Sequence, residues 1–563
     1  MTDPESIWRS AAYRHPTPWA TDYPPLSLVA MFAASAARHP ERPLIDFLGR
    51  RYSYAETIDG ATRVAAGLAR LGFGAGDRIG LFLPNVPHYL AAYFGILKLG
   101  ATVVNYSPLY TVDELAHQVQ DSGTRALFTL SASALLPTAL KVLEQSNLER
   151  LIVGSVAGAL PPAKSVLYRL FKRSEVTARP DDPRITAFSA LIANDGAGSF
   201  PAIDPAEQVA VIQYTGGTTG TPKGAMLTHQ NLSANARQVE GMDPEPGGED
   251  RIVGVLPLFH VFANTCVMNR TIHNGGMIVL LPRFDGGQVL AAIGRTKATA
   301  LPGVPTMYQA LLGHPKLAGA DLSSLKYCIS GGAPLPAEVK AKFEAATGAR
   351  VIEGYGLSES SGVVSCNPYA GEGKLGTIGQ PVPGTRVRLV DKEDPTRPPP
   401  TGEPGEILVS GPQIMKGYWN RPDADADVFV DGWLRTGDVG QIDEDGFIHI
   451  VDRLKDMIAV SGFKVFPSQV EAVLYKHPAV KEALVIGVPD AYRGEQPRAY
   501  VTLNDDVTAT PEELKAWLNA QLGRHERVDQ VVVRLSLPKT LVGKLSRKEL
   551  VEEVKAESAE GHT

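Results

Sequence analysis

The stretch QYTGGTTGTPKGAMLTHQNL, from Gln213 to Leu232, sets three glycines and four threonines ahead of one lysine. Glycine lets successive backbone N–H groups converge on anionic oxygens, forming a nest. Gly216, Gly217 and Gly220 supply that freedom, Thr215, Thr218, Thr219 and Thr221 supply hydroxyl donors, and Lys223 supplies a full positive charge. The chemistry suggested is phosphate binding, with a plain structural turn as the alternative. A P-loop is excluded at the residue level. That pattern ends Gly-Lys-Ser/Thr, whereas Pro222 precedes Lys223 here and Gly224 follows it.

The elements that must position this loop are legible nearby. VAVIQY (Val209 to Tyr214) reads as a buried strand running directly into it. Upstream, RIGLFLP, ALFTL and RLIVG read as strands, and PHYLAAYFGILKLG reads as a helix stopped by Gly100. TVDELAHQVQDSG carries a capping box, Thr111 with Glu114, before apolar residues at helical spacing. Such alternation argues for an α/β fold with parallel sheets. After residue 385 the texture changes. TRVRLVD and GEILVSG read as a hairpin joined by the proline-rich KEDPTRPPPTGEPG, and DEDG reads as a turn between two further strands. A small β-barrel-like subdomain is expected there. From Lys455 a smaller α+β unit begins. Its helix TPEELKAWLNAQLG is capped by Thr510, Pro511 and Glu513 and ended by Gly523. The expected domains are residues 1–453 and 454–563.

Bulk properties narrow the function classes. The chain has 563 residues with 44% hydrophobic and 21% charged residues, an ordinary globular composition. A net charge of −6 excludes a nucleic-acid footprint. Cys266, Cys328 and Cys366 have neither metal-like spacing nor a disulfide framework, so a reducing cytoplasm is expected. The polar N-terminus is no signal peptide, and no apolar run is long enough to span a bilayer. PPAKSVLYRLFKRSEV (161–176) places Val166, Leu167, Leu170 and Phe171 on one helix face, flanked by Lys164, Arg169, Lys172 and Arg173. The default reading is a surface helix docked on its own domain; the alternative is a membrane-surface helix.

Further motifs follow in order: LPLFHVFA (256–263), SGGAPL (330–335), EGYGLSES (353–360), GWLRTGD ending at Asp438, IVDRLKDMIAVSGFKVFPSQVE (450–471) and LPKTLVGKLSRKEL (537–550). Together with the opening loop, and over nearly the whole chain, they resemble the adenylate-forming superfamily, and within it the bacterial AMP-forming fatty acyl-CoA ligases. The resemblance implies two half-reactions, with ATP and CoA as co-substrates, Mg²⁺ as cofactor and a fatty acid as the acyl donor. It also implies that the small C-terminal domain is mobile.

Site residues are implied by the same resemblance. Thr215 to Gly220 (Thr215, Gly216, Gly217, Thr218, Thr219, Gly220) and Lys223 should hold the β- and γ-phosphates, and Glu359 should bind Mg²⁺. Ser358, where the family usually has threonine, should contact the α-phosphate. Gly331, Gly332 and Ala333, with Glu353, Gly354, Tyr355 and Gly356, should form the adenine slot, Tyr355 stacking on the base. Asp438, assisted by Arg453, should accept the ribose hydroxyls. Lys544 should bridge the carboxylate and the α-phosphate. Lys455 should be the hinge, with Gly462 and Phe463 in the loop that forms the CoA tunnel. Val261, Phe262, Cys266, Gly303, Val304, Met307 and Cys328 should line the acyl pocket. Read singly, Glu359 would be a helix-start carboxylate, Asp438 a turn residue and Lys544 a solvated tail lysine. His260 reads as a catalytic gate or as part of an aromatic-rich turn. Arg270 faces outward by default; facing inward, it would pair a second carboxylate and favour dicarboxylates. The family's PTGK or NVGK is LVGK here, and GRHERVDQVVV lacks the usual proline.

The rival readings are an acyl-AMP ligase loading a carrier protein, weakened by the lack of a long insertion near the domain junction, and a ligase for dicarboxylic or other acids. A luciferase-like monooxygenase would need nothing different in these motifs. A non-catalytic binding protein would be expected to lose Lys544 or Glu359. As for partners, the sequence allows peripheral membrane contact through residues 161–176 and a homodimer.

Overall fold

The computed structural model describes residues 4–215, 222–245, 250–461, 463–490, 492–504, 507–540 and 545–560. They form two compact units: residues 1–386 with 410–427, and residues 387–409 with 428–563.

Two large sheets organise the first unit. In one, parallel strands run in the order Arg350–Tyr355, Tyr327–Ser330, Ala300–Gly303, Arg251–Gly254, Met277–Leu280, Pro43–Phe47, with short antiparallel strands at both edges. In the other, Val209–Thr215, Thr102–Asn105, Arg78–Leu81, Ala126–Leu130, Arg150–Gly154 and Ile185–Ala187 are parallel neighbours. Lys223–Thr228 turns back antiparallel on Val209–Thr215, and Gly417–Tyr418 adds to its far side. The central strands are almost wholly buried, as expected of parallel strands covered by helices on both faces. The expected capping box forms: the Thr111 side chain accepts from the Glu114 N–H, and Glu114 returns a bond to the cap.

The second unit carries a five-stranded sheet where the small barrel-like element was expected. The proline-rich loop does join two paired strands, Arg386–Val390 and Gly405–Ser410. A second five-stranded sheet is built on the long hairpin Val480–Asp490 and Gly494–Leu503. Helices Pro467–Leu474 and Pro511–Asn519 pack their apolar residues on it, among them Val470, Leu474, Leu514 and Leu518.

Two expectations are corrected. The helix from Pro511 ends at Asn519, before Gly523. Asn519 exchanges side-chain hydrogen bonds with the backbone of Val528, which turns the chain early. The helix Pro162–Phe171 does not dock its apolar face. Val166, Leu167 and Leu170 are more than half exposed and Phe171 is 76% exposed. The half-buried positions of its middle are Ser165 and Tyr168, and polar contacts help to tie down the start of the segment. Lys164 donates to the Leu48 carbonyl and Arg50 donates to the Gly158 carbonyl, each at 2.7 Å.

Candidate active site

The two ends of the glycine-threonine loop are held side by side, because Thr215 pairs with Lys223 across the antiparallel strands. The Thr215 hydroxyl donates to the Lys223 carbonyl at 3.4 Å. Gly216, Gly217, Thr218, Thr219 and Gly220 lie outside the described residues. Gly224, which broke the P-loop pattern, has a packing reason: a Cβ there would come 2.7 Å from Ile212 Cγ2.

Glu359 sits on the one-turn helix Ser358–Ser360, just beyond the strand Arg350–Tyr355. The turn that delivers it is tightly folded. Ser361 has φ 59°, and a Cβ on Gly356 would lie 1.9 Å from the Gly362 carbonyl oxygen, so only glycine fits at 356. Glu359 and Lys223 meet at Tyr418, a residue the sequence did not single out. The Tyr418 hydroxyl donates to Glu359 Oε1 at 2.8 Å, and Lys223 Nζ lies 5.1 Å from the centre of its ring. The Met415 N–H bonds the Glu359 carbonyl at 2.8 Å, tying the same two segments through backbone.

The adenine candidates leave the end of one parallel sheet. Gly331, Gly332 and Ala333 follow the strand Tyr327–Ser330, while Glu353, Gly354 and Tyr355 end the neighbouring strand, with Ser330 paired to Glu353. Ligands of open parallel sheets bind at the carboxyl ends of strands. Glu353 accepts the Leu335 N–H at 3.0 Å, and burial pushes its carboxyl up to about 7 against that bond and the charge of Lys340. The Gly331 N–H donates to the Gly303 carbonyl, and Phe262 packs so close that a Cβ on Gly331 would lie 3.1 Å from its ring.

The acyl candidates divide. His260 caps the short helix Val261–Ala263, its Nδ1 accepting the Phe262 N–H at 3.3 Å. Cys266 follows in a π-helical turn, Asn264–Asn269, a geometry common at functional sites. The Thr265 hydroxyl donates to the Ser361 carbonyl at 2.5 Å, and Val261 borders Gly362, so this helix lies against the turn carrying Glu359. Phe262 and Gly303 meet at Gly331, and Val304 caps the next helix, Pro305–Leu312. Cys328 and Met307, by contrast, pack into the apolar core with Tyr308 and Phe343.

Arg270 does not face outward. It is 3% exposed and ion-paired with Glu240 at 3.0 Å, Asp243 at 2.7 Å and Asp250 at 3.0 Å. Burial alone would lower its pKa, but the carboxylates, Glu240 foremost, hold it raised. Its guanidinium is already matched within the chain.

In the second unit, Asp438 and Arg453 are direct partners across two antiparallel strands, with Arg453 Nε 3.2 Å from Asp438 Oδ1. Lys455 lies in the turn that follows, closed by the Asp456 N–H on the Arg453 carbonyl. Phe463 begins the short strand Phe463–Val465; Gly462 and Lys544 lie outside the described residues. Three positions past Lys544, Arg547 is held by Glu471 at 2.6 Å and Asp456 at 3.1 Å, and donates to Ser468 at 3.1 Å. This clamp was also invisible in the sequence.

Known proteins match the chain over nearly its whole length. Residues 32–419 match the model of the AMP-binding enzyme family, and residues 469–544 match that of the AMP-binding enzyme C-terminal domain. A long-chain-fatty-acid–CoA ligase of Bacillus subtilis is 42% identical over 95% of this chain and 98% of its own. An anthranilate CoA ligase in complex with anthranoyl-AMP superposes with a TM-score of 0.84 at 26% identity, over 96% of this chain and 99% of that one. The O-succinylbenzoate coenzyme A synthetase of Bacillus subtilis, in complex with ATP and a magnesium ion, gives 0.76 at 26% identity, over 92% and 99%. With matched family models on both sides of the junction and a relative this similar over nearly its full length, the chain belongs to the AMP-binding enzyme family.

Proposed function

We propose that this protein activates a long-chain fatty acid with ATP and transfers the acyl group to CoA. In the first step a carboxylate oxygen attacks the α-phosphorus, the bond to the bridging oxygen breaks, and pyrophosphate leaves. In the second, the CoA sulfur attacks the acyl carbon, the carbon–oxygen bond to AMP breaks, and the thiol proton passes to solvent. The observation carrying this reading is the meeting of the loop flank Lys223 with Glu359, one short turn beyond the strand that ends in Tyr355.

In this reading Thr215 to Gly220 and Lys223 hold the β- and γ-phosphates, and Ser358 contacts the α-phosphate. Gly331 to Ala333 and Glu353 to Gly356 bind the adenine, and Asp438 with Arg453 binds the ribose. Lys544 bridges the two reacting groups. Glu359 suits a hard cation: one oxygen is taken by Tyr418 and the other accepts no hydrogen bond among the described residues. Mg²⁺ would be held through this one carboxylate and the substrate phosphates. Such an ion would neutralise phosphate charge; the chain's part is to orient the nucleotide and exclude water. Domain alternation about Lys455, between residues 1–453 and 454–563, would then withdraw Lys544 and bring Gly462 and Phe463 to the CoA path. A panel of fatty acids run with and without CoA tests this reading.

The acyl substrate partitions into lipid, and the exposed face of Pro162–Phe171 is the surface proposed to meet it. Its apolar residues are flanked by Lys164, Arg169, Lys172 and Arg173; Lys172 is paired with Glu175 and Lys164 donates to the Leu48 carbonyl, and the basic flank complements an anionic bilayer. Among the described residues no helix is long and apolar enough to cross one. Leu170→Asp with Phe171→Asp should lower sedimentation with phosphatidylglycerol vesicles by about tenfold. Adenylation of a short, water-soluble acid should be unchanged. Equal sedimentation by variant and parent would refute the contact.

A further inference from the structure

We infer that Tyr418 is a positioning residue for adenylation: its ring seats the Lys223 ammonium and its hydroxyl orients the Glu359 carboxylate, keeping the two opposite charges from pairing with each other. The inference rests on the proposed roles of Lys223 and Glu359 at the phosphates and the metal.

Tyr418 is held from several sides. It lies on the two-residue strand Gly417–Tyr418, paired with Ala225 two positions beyond Lys223. The flanking backbone closes the pairing, Lys416 N–H to the Met226 carbonyl at 2.9 Å and Trp419 N–H to the Gly224 carbonyl at 2.8 Å. Its own N–H donates to Asp425 Oδ1 at 2.7 Å. Gly417 has φ 148°, a conformation that favours glycine, and a Cβ there would press on the Asp425 carboxylate at 2.6 Å. The side chain is 7% exposed and has little freedom to move away.

The two ends of this side chain do different work. A lysine ammonium over a phenol face is attracted by the ring quadrupole, and Lys223 has no carboxylate at ion-pair distance among the described residues. The hydroxyl occupies Glu359 Oε1, which fixes the carboxylate plane while leaving the other oxygen unengaged. Without the ring, a phosphate-binding lysine and a metal-binding carboxylate would neutralise each other and have to be separated each time MgATP entered.

The two functions separate by substitution. Tyr418→Phe keeps the ring and removes the hydroxyl; Tyr418→Leu removes both. By calorimetry, Tyr418→Phe should weaken MgATP binding about tenfold and raise the Mg²⁺ concentration for half-maximal pyrophosphate exchange, with metal-free ATP binding in EDTA changed by less than about twofold. Tyr418→Leu should weaken metal-free ATP binding as well. Native MgATP affinity in Tyr418→Phe, or equal loss with and without metal, overturns the inference. If Tyr418→Leu fails to melt cooperatively, the Phe variant decides alone. Failure of the underlying reading would look different: the unsubstituted protein would neither bind MgATP nor exchange pyrophosphate.

Discussion

Lys544→Ala is expected to cut acyl-adenylate formation by about 10²–10³-fold, while leaving thioester formation from supplied acyl-adenylate within about twofold of the parent. The chemistry motivates the split. Adenylation brings a carboxylate against an anionic α-phosphate, and a positioned ammonium is worth most where those charges meet in a water-poor site. Thioesterification attacks the uncharged acyl carbon of an already formed mixed anhydride, so no carboxylate has to be brought against the phosphate. Three residues further along the chain, Arg547 opens the helix Arg547–Glu560 and is clamped by Glu471 and Asp456. Stopped-flow measurement of pyrophosphate release, beside single-turnover thioester assays, reads the two steps separately. Equal damage to both would remove Lys544 from this role.

Arg270→Met is expected to cost stability, about 3–5 kcal/mol, by stranding Glu240, Asp243 and Asp250 without their cation. The expected consequence is a melting temperature lower by roughly 5 °C. Arg270→Lys should recover part of it, since it restores the charge but not the planar fork. The pH dependence carries the sign. Burial already raises Asp243, against the pull of Arg270. Without Arg270 its folded pKa rises further above the unfolded value. The penalty is therefore full at neutral pH and shrinks as pH falls through the folded pKa. Differential scanning calorimetry from pH 7.5 downward would show the gap between variant and parent narrowing. A constant gap would mean that lost packing, and not stranded charge, sets the cost.

What the sequence revealed was local. The strand entering the phosphate loop, the Thr111 and Thr510 caps and the paired strands around the proline-rich loop are each specified by residues within a few positions, and each forms. The groups that complete the site are distant in the chain. Tyr418 is 59 residues from Glu359, and in the sequence it is a tyrosine in KGYWN with nothing to mark it. The partners of Arg270 lie 20–30 residues upstream on other elements, so its helical position could not reveal which way it faced. The helix at 162–171 shows the converse limit. Its amphipathic pattern was legible, but periodicity reports that an apolar face exists, not whether the domain covers it.

The central claim is a two-step ligase in which CoA consumes an adenylate. The most direct measurement is to incubate the protein with palmitate, ATP and Mg²⁺, with and without CoA, and to follow AMP, pyrophosphate and acyl products together. The expected result is a single-turnover burst of pyrophosphate with enzyme-bound acyl-adenylate when CoA is absent, and steady AMP release with stoichiometric palmitoyl-CoA when it is present. Adenylate that accumulates despite CoA, or AMP release that needs no acid, would contradict it.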